Sequence, residues 1–275
     1  MRIAHLGPAG TFTEQAAALH APDAELVACP TITASAQAVL EGRAELAALP
    51  IENSLQGAIT ETLDLLLHGE GLSITGEVVL PVVHNLMAAP GVRLEQVRRV
   101  YSHPQALGQC KGYLGRVLPN AELAPSLSTA GSVEQAMYTD VPAAAIAPLG
   151  AAALYGAHVL AEGIQDDDSN ATRFVVMARQ DAPPTGDDKT SIAFTFEEDK
   201  PGQLYGVMGE FTQAGINLAK VESRPTRLGL GRYYFLMDLV GHRTDTAVAA
   251  VLERVRGRVS HLKVFGSYPR FKPVS

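Results

Sequence analysis

The chain has 275 residues, which at roughly 150 per domain is enough for about two domains, each with its own core. Apolar residues make up 47% and charged residues 19%, values that exclude disorder as the main state. With 22 Lys and Arg against 29 Asp and Glu the net charge is −7, so no general field draws the chain to nucleic acid or to an anionic membrane.

From the N-terminus, residues 2–6 form a short apolar strand, and the flanking sequence lacks the apolar run of a secretory signal. Residues 7–10 turn into a helix through 16–20, with Thr11 or Thr13 as its N-cap. Helix follows at 35–41, strand at 45–50, helix at 60–67, and strands at 73–83 and 99–101. Helices at 104–114 and 130–137, a strand at 143–147, a helix at 149–155 and a strand at 172–177 complete an α/β pattern. The uncharged stretch 141–161 is mostly Ala and is interrupted by Pro142, Pro148, Gly150 and Gly156, so it is not expected to span a bilayer. Cys29 and Cys110 lie far apart without C-x-x-C spacing, which argues against a disulfide framework or a zinc site and fits a cytoplasmic protein.

Charge marks a boundary near residue 185. Residues 1–180 hold 9 basic and 18 acidic groups, whereas 181–275 hold 13 and 11. Between them, 181–188 carries two prolines, a glycine and three aspartates, the composition of an exposed linker. Beyond it come a strand at 191–196, a helix through Leu204, Val207, Met208 and Phe211 ended by Gly215, and extended chain at 216–223. A turn containing Gly229 and Gly231 leads to a strand at 232–240, a helix capped by Thr244 or Asp245, and a strand at 262–265. The order βαββαβ predicts a ferredoxin-like fold, a topology that by itself assigns no function.

Several polar clusters sit where strands meet helices. The turn Gly7-Pro8-Ala9-Gly10-Thr11 reads either as an anion site or as an ordinary capped turn, and it lacks G-x-G-x-x-G. Glu52, Asn53, Ser54 and Gln56 follow an apolar strand, where open α/β sheets present ligand-binding groups; a solvated loop is the plain alternative. Ser102, His103, Pro104 and Gln105 open a helix, with Ser102 or His103 near its N-cap and Gln109 one turn on, and His103 is read as structural or solvated in preference to acid–base active. Ser128 and Thr129 read as a cap. The run Asp166-Asp167-Asp168-Ser169-Asn170 lacks a downstream Glu at calcium-loop spacing and is read as a surface turn, with no metal expected. Arg173, among few cations in an acidic region, suits a carboxylate-bearing ligand or a pairing with nearby aspartates.

Taken in order, GPAGTF at 7–12, PIENS at 50–54, SHPQAL at 102–107, ST at 128–129 and NATRF at 170–174 resemble the prephenate dehydratases, and PGQLYGVM at 201–208 with NLAKVESRP at 217–225 is similar to their ACT regulatory domain. The resemblance implies a catalytic domain over 1–180 built like a two-lobed periplasmic binding protein, with lobes at about 1–76 plus 161–180 and at about 77–160. A linker at 181–188 and an ACT domain at 189–275 follow. It implies loss of water and carbon dioxide from prephenate to give phenylpyruvate, in phenylalanine biosynthesis, without cofactor or metal. Thr172 matches the essential threonine of the family's TRF motif, and the substrate-binding set implied is Thr11, Glu52, Asn53, Ser54, Ser102, Gln105, Gln109, Thr129, Asn170, Arg173 and Phe174. On this reading Thr172 hydrogen-bonds or relays a proton to the departing hydroxyl, while Arg173 and the N–H groups after Gly10 hold carboxylates. L-Phenylalanine is the implied effector, near Gly202, Gln203, Leu204, Asn217, Leu218, Glu222, Ser223, Arg224 and Pro225. Gln203 stands where many relatives have Ala, which bears on affinity for that effector. A homodimer or homotetramer through ACT domains is implied, with the Tyr233, Phe235, Met237 and Leu239 face supplying either the interface or the domain's own core. The start at the first dehydratase strand leads to the expectation of a monofunctional enzyme. Arogenate dehydratase, a non-catalytic amino-acid sensor and a periplasmic solute receptor are the competing readings.

Overall fold

Short apolar strands at the N-terminus set up a parallel sheet, as seen in a computed structural model that describes residues 1–198, 200–227 and 231–272. The turn expected at Gly229 lies outside the described residues. Two compact units divide the chain: Met1–Thr62 with Val78–Phe174, and Leu63–Glu77 with Val175 onward.

In the first unit, β1 (Arg2–Leu6) pairs in parallel with β2 (Glu25–Cys29) and β3 (Leu46–Asn53). Parallel strands need crossovers, and α1 (Phe12–His20) and α2 (Ile32–Leu40) supply them. Thr11 and Thr31 start these helices, their hydroxyls accepting the N–H of Glu14 and of Ala34. After β4 (Gly57–Ala58) and α3 (Thr60–His68), β5 (Ser73–Pro81) completes the chain's route to a second sheet that begins at β6 (Asn85–Ala88). That sheet adds β7 (Arg99–Ser102), α4 (Pro104–Gln109), α5 (Lys111–Val117), β8 (Glu122–Pro125), α6 (Thr129–Met137), β9 (Ala143–Ala147), α7 (Leu149–Tyr155) and β10 (His158–Ala161). The chain returns through β11 (Ala171–Ala178). Strand orders are β2-β1-β3-β11-β5, with β4 on β3, and β10-β6-β9-β7-β8. Two α/β layers therefore stand in one unit, joined where the chain crosses at 82–84 and again at 162–170.

Two expectations need correction. The strand expected at 73–83 stops at Pro81, beyond which the chain passes from one sheet to the other. The single helix expected at 104–114 breaks at Cys110, because the Asp166 carboxylate caps the N–H groups of Gly112 and Tyr113 at 2.7 and 3.0 Å and starts a new helix there. Cys110 is buried, and burial pushes its thiol up to about 12. No helix among the described residues is long and apolar enough to cross a membrane.

The second unit carries β12 (Asp188–Thr195), α8 (Gln203–Gln213), β13 (Leu218–Pro225), β14 (Tyr233–Val240), α9 (Thr246–Arg256) and β15 (His261–Pro269). Antiparallel pairing in the order β13-β14-β12-β15 is the ferredoxin-like arrangement expected from βαββαβ. Alternate strand residues Ile192, Phe194, Met237 and Leu239 meet Val207, Phe211, Val251 and Val255 of the two helices. The face proposed for Tyr233, Phe235, Met237 and Leu239 is thus this domain's own core, with Tyr233 alone 41% exposed at its end. Glu210 ties the helices together, accepting from Arg254 and Arg258 at 2.7 Å, and these hydrogen bonds hold its carboxyl below the usual carboxylate range.

Gly266 is the tightest point of this unit. A Cβ there would lie 2.2 Å from the carbonyl oxygen of Ile74 and 2.6 Å from its nitrogen, at a φ of +153°. Backbone on both sides cannot yield, so Gly266→Ala is expected to destabilise the chain by about 3 kcal/mol or more. Chemical denaturation checks this; an unchanged midpoint would show that β15 can move away from β5.

Candidate active site

A cavity of about 480 Å³ opens in the first unit at the carboxyl ends of parallel strands, the position where α/β sheets bind ligands. Leu6 and Asn53 reach it from β1 and β3, Thr172 and Phe174 from β11, and Val82 and His84 from the passage between the sheets. Three helices begin at its wall, with Thr11, His103 and Ser128 as N-caps of α1, α4 and α6. Leading N–H groups of a helix have no carbonyl of their own to meet, and the helix dipole places positive potential there. The described lining holds no Asp, Glu, Lys or Arg, its titratable side chains being His84 and His103. The donors this lining offers to an anion are backbone and amide N–H groups and the two imidazoles, with no Lys or Arg among them.

Of the residues expected at the site, Thr11, Asn53, Gln105, Gln109, Thr129, Thr172 and Phe174 line the cavity together. Asn53 is buried at the end of β3 and organises them. Its Oδ1 accepts the N–H groups of Leu55 and Gln56 at 3.1 Å each, and its Nδ2 donates to Asn170 Oδ1 at 2.8 Å and to Thr172 Oγ1 at 3.0 Å. Because Thr172 Oγ1 accepts this bond, its own hydrogen is available to a ligand. Asn170 stands behind the wall and donates to Gln109 Oε1 at 3.0 Å. Ser54 also stands behind, its hydroxyl accepting the N–H of Ala171 at 2.9 Å.

Other expectations are corrected by placement. Side chains alternate along a strand, so with Thr172, Phe174 and Asn53 turned to the cavity, Arg173 and Glu52 face away. They meet each other at 3.8 Å, and neither is among the residues that line the cavity. Ser102 is fully buried and donates to the carbonyl of Ile146 at 2.7 Å, a packing role. The Gly10 N–H is taken by the Glu14 carboxylate, which leaves the N–H groups of Phe12 and Thr13 as the free ones after that turn. The acidic run 166–170 is spent on caps and turns: Asp166 on α5, Asp167 on Ser169 and Asp168 on Gln165.

Sequence reasoning passed over His84 and named Phe12 only as part of the turn at 7–12. His84 Nε2 lies 2.8 Å from Gln109 Oε1, and the ring meets Phe12 edge to face at 6.0 Å. Burial pushes the imidazole below its ordinary value, more than the Gln109 hydrogen bond raises it. The signal in the sequence is a single histidine inside the apolar run 78–87.

In the second unit, Gly202 begins α8 with φ +83°, followed by Gln203, whose Oε1 accepts the Lys200 N–H at 3.0 Å, and by Leu204 on the core. The Asn217 carbonyl accepts the Val240 N–H, and Leu218 packs on the core. Along β13, an edge strand, Glu222 pairs with Lys220 at 3.0 Å and Arg224 with Asp64 at 2.6 Å, while Ser223 and Pro225 lie on its exposed side.

A two-layered α/β unit with a largely apolar cavity carrying a few hydrogen-bonding groups at its strand ends, followed by a ferredoxin-like unit, defines a small-molecule enzyme or binding protein with an appended regulatory module. Comparison with known proteins narrows the class. The sequence model of the prephenate dehydratase family matches residues 3–182 and that of the ACT domain residues 191–257. The bifunctional chorismate mutase/prephenate dehydratase of Neisseria gonorrhoeae is 41% identical over 98% of this chain and 74% of its own length. The prephenate dehydratase of Mycobacterium bovis is 39% identical over 98% and 87%. Among solved structures, the prephenate dehydratase of Arthrobacter aurescens in complex with L-Phe superposes with a TM-score of 0.89 at 38% identity, covering 98% of this chain and 90% of that one. GqqA, described as a novel type of quorum-quenching acylase, also reaches 0.89, at 31% identity and 99% of both chains. The chain belongs to the prephenate dehydratase family, whose members are lyases.

Proposed function

We propose that this chain converts prephenate to phenylpyruvate in the cavity of the first unit, with Thr172 at the reacting centre. The observation that carries the residue assignment is the Thr172 hydroxyl, held as an acceptor by Asn53 at 3.0 Å and thereby left to donate into a cavity without charged carboxylates. In the reaction the ring carboxylate leaves as carbon dioxide, its electron pair enters the ring, and the C4–oxygen bond breaks as the ring becomes aromatic. The hydroxyl departs as water with one proton taken up. Thr172 donates a hydrogen bond to that leaving oxygen, and the N–H groups at the starts of α1 and α6 hold the carboxylates in place of Arg173. Phe12 and Phe174 supply the apolar wall beside the ring.

The division into catalytic residues 1–180, linker 181–188 and regulatory residues 189–275 belongs to this proposal, as do a cytoplasmic location and L-phenylalanine as effector at the second unit. The Arthrobacter aurescens relative holding L-Phe supports the effector, and β13 as an edge strand beside Glu222, Ser223 and Arg224 supports assembly of ACT domains into a dimer or tetramer. Phenylpyruvate appearance from prephenate, measured with chelator present and with or without L-phenylalanine, tests the reading. Turnover insensitive to chelator and suppressed by L-phenylalanine is expected. Turnover on arogenate alone would replace the substrate, and no turnover on either would leave a binding protein.

A further inference from the structure

The polarity of the buried amides is set by two backbone groups. The N–H groups of Leu55 and Gln56 both donate to one side-chain atom of Asn53, so that atom is oxygen and the other is the Nδ2 donor. Nδ2 lies 2.8 Å from Asn170, whose near atom must be the Oδ1 acceptor, and this turns Asn170 Nδ2 toward Gln109 at 3.0 Å. A donor arriving there requires Gln109 to present Oε1. The same Oε1 lies 2.8 Å from His84 Nε2, so the imidazole carries its proton on Nε2. At the end of this chain two buried atoms have no partner, His84 Nδ1 and Gln109 Nε2, and both residues line the cavity. A buried amide nitrogen with two hydrogens and no acceptor is costly in a folded chain, and at a cavity wall the group that relieves it is a ligand oxygen.

We infer that His84 is a positioning residue of this site: its Nε2–H and Asn170 Nδ2 together hold Gln109 Oε1 in the wall, which leaves Gln109 Nε2 as a donor for an anionic or hydroxyl oxygen of the substrate. The inference rests on the reading of this cavity as the prephenate site. Turning the Gln109 amide over would set its nitrogen against the Asn170 donor, whose own orientation Asn53 fixes, and this selects the polarity in which His84 Nε2 donates. Phe12 against the ring keeps the imidazole in register. His84 sits 2% exposed in the passage between the sheets.

The test has two parts. Nitrogen-15 spectroscopy of the His84 imidazole in the ligand-free full chain reads the tautomer without turnover; protonation on Nε2 alone at neutral pH is expected, and a proton on Nδ1 alone would overturn the inference. Prephenate kinetics of His84→Phe, His84→Gln, Gln109→Ala and the double variant His84→Phe/Gln109→Ala then form a cycle. His84→Phe is expected to lower kcat/KM about tenfold, chiefly through KM, with little further loss when Gln109 is already Ala. His84→Gln, which offers an amide donor near Nε2, is expected to recover most of it, and it also serves if the Phe variant folds poorly. Additive losses would overturn the positioning role. A wild-type chain with Nε2 protonated but without prephenate turnover would remove the proposed substrate and leave the orientation of Gln109 supported.

Discussion

Thr172→Ala is expected to abolish most turnover while leaving the chain folded. The substitution removes one hydroxyl that accepts from Asn53 and lies at the cavity wall. Losing that neutral hydrogen bond costs about 1 kcal/mol of stability, so the unfolding midpoint moves little. The kinetic effect is larger, because a hydroxyl aimed at a leaving group acts where charge develops, and about 10²–10⁴-fold in kcat is expected with a modest change in KM. Threonine is a weak acid, so the contribution is positioning and a shared hydrogen bond. Thr172→Ser keeps the oxygen and is expected to retain most of the activity. Steady-state kinetics on prephenate, with circular dichroism as the folding control, decide it; wild-type kcat in Thr172→Ala would remove Thr172 from the reacting centre.

Asn53→Asp changes two hydrogens and one atom type, yet it reverses the polarity on which the site depends. One oxygen of the new carboxylate accepts from Leu55 and Gln56 as before. The other replaces a donor and faces Asn170 Oδ1 at 2.8 Å, the Ala171 carbonyl at 3.3 Å and Thr172 Oγ1 at 3.0 Å. Two of these are acceptors only as oriented, and the third can answer only by turning its hydroxyl hydrogen away from the ligand. A loss of about 10²–10³-fold in kcat/KM at neutral pH is expected, with a stability loss of about 1–3 kcal/mol from the buried unpaired groups. Burial and neighbouring acceptors raise the new carboxyl's pKa, so acidification protonates it, restores an O–H donor and recovers part of the activity. A flat pH profile at wild-type rate would show that the Asn53 donor has no role.

His84 and Arg173 mark opposite limits of what local pattern conveys. Arg173 stands inside the most specific motif of the chain, and a cation in an acidic domain suggested a carboxylate; strand alternation instead set it beside Glu52, on the face away from the cavity. Which face of a strand a residue takes depends on where the strand lies in its sheet, information absent from the motif. Ser102 likewise follows its strand inward to the Ile146 carbonyl. His84 escaped notice because it lies just past the strand expected at 73–83 and outside any recognised motif, whereas the chain leaves one sheet at Pro81 and enters another at Asn85.

The weakly patterned strands β2, β8 and β10 were missed for a related reason: they are partly exposed edges whose residues lack alternation.

By itself the sequence determined an α/β pattern, the βαββαβ order and helix starts at Thr11 or Thr13, at Ser102 or His103 and at Ser128 or Thr129, while the family resemblance supplied Thr11, Asn53, Gln109, Thr129 and Thr172, which line one cavity. The elements and their caps are local properties, written in the spacing of apolar residues and in capping chemistry within a few positions. Only the tertiary structure decided the facing of Arg173, Glu52 and Ser102, the place of His84, and the polarity carried from Leu55 and Gln56 through Asn53 and Asn170 to Gln109. The physical reason is that a buried hydrogen-bond network fixes donors and acceptors jointly, among groups that only the crossing between two sheets brings within 3 Å of one another.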